Sequence, residues 1–218
     1  MTLSGRGYRE LIAHYEGCLS RHGDTHRGVD WPRAEDAEIR YGVMLDLIPP
    51  AVPRPVRLLD FGCGAGHLLD FLVRRNLPGI EYHGLDLSAQ FLSLCRNKYP
   101  NIPFTCADVL DDGADLPEFD YIVLNGVFTE KLSISHEDMW DYARELLRRL
   151  WPHTRHGLAF NVMSKQVDWE RSDLFHLSCD EAMLFLTKEL SRHCVIRQDY
   201  GLFEYTAYVY REANRWPE

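Results

Sequence analysis

The sequence has no apolar run approaching the roughly 18 residues that a membrane span requires. Its N-terminus, MTLSGRGYRE, lacks the apolar core of a signal peptide. A cytoplasmic address with no membrane partner is expected. Cysteine is scattered: Cys18, Cys63, Cys95, Cys106, Cys179 and Cys194 include no C-x-x-C pair. They read as reduced core or loop residues. Positive charge is short, with 24 Lys+Arg against 33 Asp+Glu and a net charge of -9. An acidic surface repels phosphate backbones, which argues against a nucleic-acid partner. Internal repeats and low-complexity tracts are absent.

What is present suits one domain with a full-sized core: 218 residues, 45% hydrophobic. The Pro-rich link PPAVPRP at 49–55 divides an N-terminal helical segment, 1–48, from the remainder, 56–218. In that segment the helix over about 34–48 carries Ala37, Tyr41, Met44 and Ile48 on one face. After the link, strand and helix patterns alternate. Val56 to Phe61, 80–87, 102–107, 119–125 and 156–164 read as strands. Amphipathic helices are predicted over 67–76, 88–98, 135–150 and from Cys179 to about Ser191. Ser88 is an N-cap, and Ser135 with Asp138 and Ser178 with Glu181 form capping boxes. The last runs, 193–200 and 203–211, are separated by Gly201-Leu202, which predicts a tight antiparallel hairpin. The fold class is therefore α/β: an open, doubly wound, mostly parallel seven-stranded sheet ending in a hairpin, with helices on both faces. Ligands of such sheets lie at the carboxyl ends of the strands.

The stretch at that place is DFGCGAGH, residues 60–67. A dinucleotide fingerprint needs a third glycine where His67 stands, and a P-loop needs a following Gly-Lys-Ser/Thr. Both fail. What remains is D-x-G-x-G-x-G, with Asp60, Gly62, Gly64 and Gly66. Glycines let a ligand lie against backbone, and a carboxylate ahead of the turn repels a pyrophosphate and attracts an ammonium.

With the sites that follow in order, the sequence resembles the class I S-adenosylmethionine-dependent methyltransferases over roughly 56–211. Asp60 to Gly66, with Cys63 lending its backbone, matches the family's first motif. Asp86, followed by Leu87, matches the acid that grips the ribose hydroxyls. Asp108, followed by Val109, matches the acid that faces the adenine. FDYIVLNGVF (119–128), with Asn125 and Gly126, matches the strand that ends beside the methionine part. The resemblance implies S-adenosyl-L-methionine as cofactor and S-adenosyl-L-homocysteine as product. A binding module without turnover is the rival from another class, and the complete set of sites argues for the enzyme.

The acceptor is less legible. The run after the fourth strand, Asn125-Gly126-Val127-Phe128, lacks the prolines of base and amide methylases. Asp111-Asp112 reads as a solvated turn, and no metal is expected. The expected acceptor is a small polar metabolite carrying a sugar-type or natural-product hydroxyl; an amine acceptor is the alternative. The turn 21–32 offers His22, His26, Asp30 and Trp31, and the loop 162–177 offers Lys165, Asp168 and Trp169. His26 is the candidate base, since an imidazole titrates near neutrality. Residues 1–48 are expected to act as a lid.

Overall fold

The computed structural model describes residues 7–111 and 115–213. Asp112 and Gly113 lie outside them. Helix α1 (Tyr8–His22) is followed by a 3-10 turn (His26–Val29) and α2 (Ala34–Leu45). Strand and helix then alternate: β1 (Val56–Phe61), α3 (His67–Arg74), β2 (Ile80–Asp86), α4 (Ala89–Lys98), β3 (Phe104–Cys106), β4 (Phe119–Phe128), α5 (His136–Leu150), β5 (Thr154–Ser164). Then come β6 (His176–Leu177), α6 (Cys179–Phe185) with a turn of π-helix (Leu186–Leu190), β7 (His193–Arg197) and β8 (Glu204–Tyr210).

The caps fall where the sequence places them. Ser88 Oγ accepts from Phe91 N, Ser135 Oγ from Asp138 N and Ser178 Oγ from Glu181 N. The sheet order is β3-β2-β1-β4-β5-β8-β7, and the two-residue β6 pairs with β5 as an eighth strand. Pairing is parallel from β3 to β5 and antiparallel through β8 and β7.

Period-two alternation divides the core between the two faces. Tyr205, Ala207 and Val209 of β8 face α5 and α6, whereas Tyr208 and Tyr210 face α2 and α3. Ala37, Tyr41 and Met44 of α2 are buried in that second layer, as is Ile48 just beyond it. Tyr208 and Tyr210 donate their hydroxyls to the carbonyls of Val43 and Leu47. Helix α2 is thereby part of the sheet's cover. Helix α1 instead crosses the carboxyl ends of the strands.

The terminal hairpin departs from the expected two-residue link: six residues, 198–203, separate β7 from β8. Side chains hold this connection off the ladder. Arg197 bonds Asp199 at 2.8 Å, and Tyr200 Oη lies 3.0 Å from Thr206 Oγ1.

Candidate active site

The turn after β1 passes through positive φ at Gly62 (72°), Gly64 (50°) and Gly66 (76°). A side chain at any of the three would be strained. At Gly62 its Cβ would also meet Val127 Cγ2 at 2.7 Å. The amides of Gly62 and Cys63 donate to the Leu85 carbonyl, tying the turn to the end of β2. Asp86 completes the cradle: its Oδ2 accepts from Gly64 N and its Oδ1 from Ser88 N, both at 2.8 Å. Asp60 is 3% exposed, and its Oδ2 accepts from the Tyr82 hydroxyl at 2.6 Å.

Burial, opposed by the Tyr82 hydrogen bond and aided by the charge of Asp86, pushes the Asp60 carboxyl up to about 7. Burial also raises Asp86, against the backbone amides that hold it. A buried and a half-buried carboxylate therefore face one cavity without a cation beside them among the described residues. Asn125 Oδ1 on the same wall is buried and has no hydrogen-bond partner there. Beside it, Gly126 turns out of the β4 ladder at φ 81°, and its N–H donates to Asn161 Oδ1 at 2.7 Å.

Asp60, Gly62, Cys63, Gly64, Asp86, Leu87, Asn125 and Gly126 line this cavity. Its roof is α1, through Tyr8, Leu11, Ile12 and Tyr15. The other three expected cofactor residues lie off the cavity. Gly66 sits one step behind, as the N-cap of α3. Asp108 is turned to α1, where it accepts from the Tyr8 hydroxyl, and its Oδ1 accepts from Leu110 N. Val109 is buried in the core, with its carbonyl on Arg149 Nε. The Cys63 thiol is held well above its ordinary range by the neighbouring Cys95 thiol and by burial.

A second cavity, of about 750 Å³, adjoins the first and shares Tyr15, Val29 and Trp31 with it. Its size suits a small metabolite. Of the expected acceptor contacts, His22, Asp30, Trp31, Asp168 and Trp169 line it. Lys165 does not; its ammonium lies 3.8 Å from Glu181.

His26 lines neither cavity. The cause is local. Thr25 caps the 3-10 turn through Gly28 N, and the turn that follows aims Val29 and Trp31, not His26, at the cavities. The His26 carbonyl is left to bind Trp31 N at 2.8 Å.

Two residues that the sequence reading passed over line these cavities. Tyr15 belongs to both cavities, and burial drives its phenol far above the ordinary range. Glu130, two residues past β4, lines the second cavity, and its carboxyl is pushed up to about 7. Burial is the main cause. The charges of Asp30 and Asp173 add to it, and those of Arg171 and His14 oppose it. The spacing of Tyr8, Leu11, Ile12 and Tyr15 is the signal that marks a ligand-covering stripe on α1, although a core stripe has the same spacing.

Two trios of potential cation ligands occur among the described residues. In Asp24, His67 and Asp70, Lys98 Nζ already fills the cation's place, at 2.7 Å from Asp70. In His14, Cys18 and Asp30, Arg21 donates to Cys18 Sγ and burial raises the thiol.

A family model described as a methyltransferase domain matches residues 59–157. A Mycobacterium tuberculosis protein, Rv1506c, provisionally named a methyltransferase, is 30% identical over 162 residues, which are 71% of this chain and 93% of that protein. The chain belongs to the S-adenosylmethionine-dependent methyltransferases. An N,N-dimethyltransferase of dTDP-4-amino-2,3,4,6-tetradeoxy-D-glucose from Saccharopolyspora spinosa is 25% identical over 131 residues, 60% of this chain and 51% of that enzyme. Among solved structures, the magnesium protoporphyrin IX methyltransferase of Synechocystis with bound S-adenosylmethionine superposes with a TM-score of 0.65. It is 12% identical and covers 97% of this chain and 100% of that one, so the likeness is one of fold. Residues 59–157 span the glycine cradle, Asp86 and Asn125, the parts of this methyltransferase that wall the first cavity.

Proposed function

We propose that this methyltransferase transfers the methyl group of S-adenosylmethionine to a hydroxyl of a small polar metabolite held in the 750 Å³ chamber, with Glu130 taking the hydroxyl proton. The observation that carries this reading is the shared wall: Tyr15, Val29 and Trp31 are the common boundary of the two cavities. A displacement needs donor and acceptor aligned across such a boundary.

The first cavity fits the cofactor. Asp86 spends one lone pair of each oxygen on backbone amides and keeps others for the two ribose hydroxyls. Asp60 and the free carbonyl of the Asn125 amide suit an ammonium. When bound, the cofactor supplies a methyl group on a positively charged sulfur. The chain's own residues exclude water with α1, hold the acceptor and accept a proton at a Glu130 carboxylate oxygen.

The test is transfer of label from S-adenosylmethionine to a polar metabolite extract, fractionated by charge. Label in neutral hydroxylated compounds supports the reading. Label confined to amines moves the acceptor to nitrogen, as the amino-sugar relative's name describes for that enzyme. Label confined to macromolecules overturns it.

Cofactor affinity should depend on pH through Asp60, which faces Tyr82, Tyr41, Cys63 and Asp86. An ammonium favours the ionised carboxylate, so binding releases a proton wherever the free group is protonated. Affinity for S-adenosylhomocysteine should fall about fivefold from pH 7 to pH 6. Calorimetry checks this, and an unchanged slope in Asp60→Asn would show that another group is responsible.

Helix α1 and the 3-10 turn are proposed as the lid. Ser88 Oγ donates to Glu16 and Ser133 Oγ to Glu10, both at 2.6 Å, and the Tyr8 hydroxyl donates to Asp108, joining α1 to the segments that follow β2, β4 and β3. Saturating S-adenosylhomocysteine should slow proteolysis within 21–32 by filling the space under the helix. Equal cutting rates with and without it would make α1 a fixed wall.

A further inference from the structure

Arg40 is the most constrained cation of the second chamber. It lies on α2 and is 8% exposed. Its Nε donates to both oxygens of Glu204, at 3.0 and 2.9 Å, and Nη2 lies 2.8 Å from Oε2. Glu204 is 1% exposed, and its Oε1 also accepts from Asn161 Nδ2 at 2.9 Å. The same Asn161 holds the Gly126 amide. The Trp31 ring centroid lies 4.1 Å from the guanidinium carbon, so the flat face is covered as well. The guanidinium thus cannot turn. One edge is left: Nη1 is buried, has no partner among the described residues, and belongs to a side chain that lines the chamber.

We infer that the Nη1 edge of Arg40 is the anchor for an uncharged oxygen, a hydroxyl or carbonyl, on the acceptor molecule. The inference rests on reading the chamber as the acceptor site. A buried donor without a partner is destabilising, and a ligand oxygen recovers that loss. The oxygen is a neutral one because the positive charge of Arg40 is already matched by Glu204 at hydrogen-bond distance. A carboxylate would lose its hydration and then meet the field of Glu204. A hydroxyl or carbonyl gains the hydrogen bond without that cost.

Position adds a second point. Trp31 reaches from Gly126, where its ring lies 2.7 Å from the place a Cβ would occupy, to Arg40. Gly126 is on the cofactor wall and Arg40 is not. The anchored oxygen is therefore set back from the cofactor wall at Gly126 by the breadth of an indole. It is a second oxygen of the acceptor, distinct from the one methylated. This describes a polyoxygenated metabolite and makes Arg40 a specificity residue.

The experiment uses Arg40→Lys, which keeps a cation opposite Glu204 and removes the Nη1 edge. With the metabolite that the parent enzyme labels, KM should rise about tenfold and kcat should change less, while S-adenosylhomocysteine affinity stays within about twofold. A monodeoxy analogue lacking the anchored oxygen should be discriminated by the parent and not by the variant. A parent that labels no small molecule refutes the chamber as acceptor site; a normally folded variant with unchanged KM refutes only the Arg40 anchor.

A second measurement needs neither acceptor nor variant. The side-chain signals of 15N-labelled Arg40, assigned through contacts with the Trp31 indole, are followed in the S-adenosylhomocysteine complex. A methyl hexoside should shift them and acetate should not. Shifts with acetate alone would replace the neutral oxygen by a carboxylate, and shifts with neither would overturn the anchor.

Discussion

Replacing Asp86 with alanine should weaken S-adenosylhomocysteine binding by a hundredfold or more. Each Asp86 oxygen already holds one backbone amide, Gly64 N and Ser88 N, at 2.8 Å. The carboxylate therefore shapes the cradle while offering its remaining lone pairs to two hydroxyls. Hydrogen bonds to a charged partner contribute about 1.5–3 kcal/mol each, and two together give the expected loss. Asp86→Asn should recover little, because its amide NH2 would face a backbone donor. Calorimetry decides: a loss below about threefold would remove the ribose from this carboxylate and leave Asp86 as a fastener of the turn.

The other large effect is expected at Glu130. With its carboxyl at about 7, Glu130 is ionised above that pH and able to take a proton. The parent's kcat/KM should climb with pH and level off above neutrality. Glu130→Gln should lose that climb together with about a hundredfold in kcat, the usual scale of general-base help. The groups facing it, Asp30, Asp173, Arg171, His14 and Tyr15, remain in the variant.

Stability should move the other way. A carboxyl raised on folding contributes stability below its unfolded pKa and loses it as pH climbs through the folded value near 7. At pH 8 the glutamine variant should therefore melt no lower than the parent. A variant with full turnover would assign the proton to solvent and favour an amine acceptor, which needs no base.

The donor half of the site is legible in the sequence because it is local. Asp60, the three glycines and Asp86 occupy fixed places at the carboxyl ends of two consecutive strands. One backbone geometry serves them all, so residue type reports role. The second chamber is built across the fold, and its residues carry no mark in their neighbourhood. Glu204 looks like any polar residue of a closing strand until Arg40, 164 positions earlier, is brought against it. Tyr15 has the spacing of a core residue because it does pack, but over a cavity. His26 shows the converse: a glycine-rich turn suggests an aimed side chain, and the Thr25 cap aims its neighbours at the chamber instead. Asp108 stands at the expected place, but Tyr8 turns it toward α1.

The pairing of Arg40 with Glu204 also sets an order of events during synthesis on the ribosome. Every residue of the glycine cradle, and Asn125 beside it, has been translated long before β8. The Arg40 wall of the second chamber must wait for nearly the whole chain, since the carboxylate that orients Arg40 arrives on the final strand. A nascent chain stalled short of residue 204 would carry the cradle sequence but leave the Arg40 guanidinium without its buried counter-ion. Loops closed over so many residues form late, so the Arg40–Glu204 wall of the second chamber is the last part of the two cavities to form.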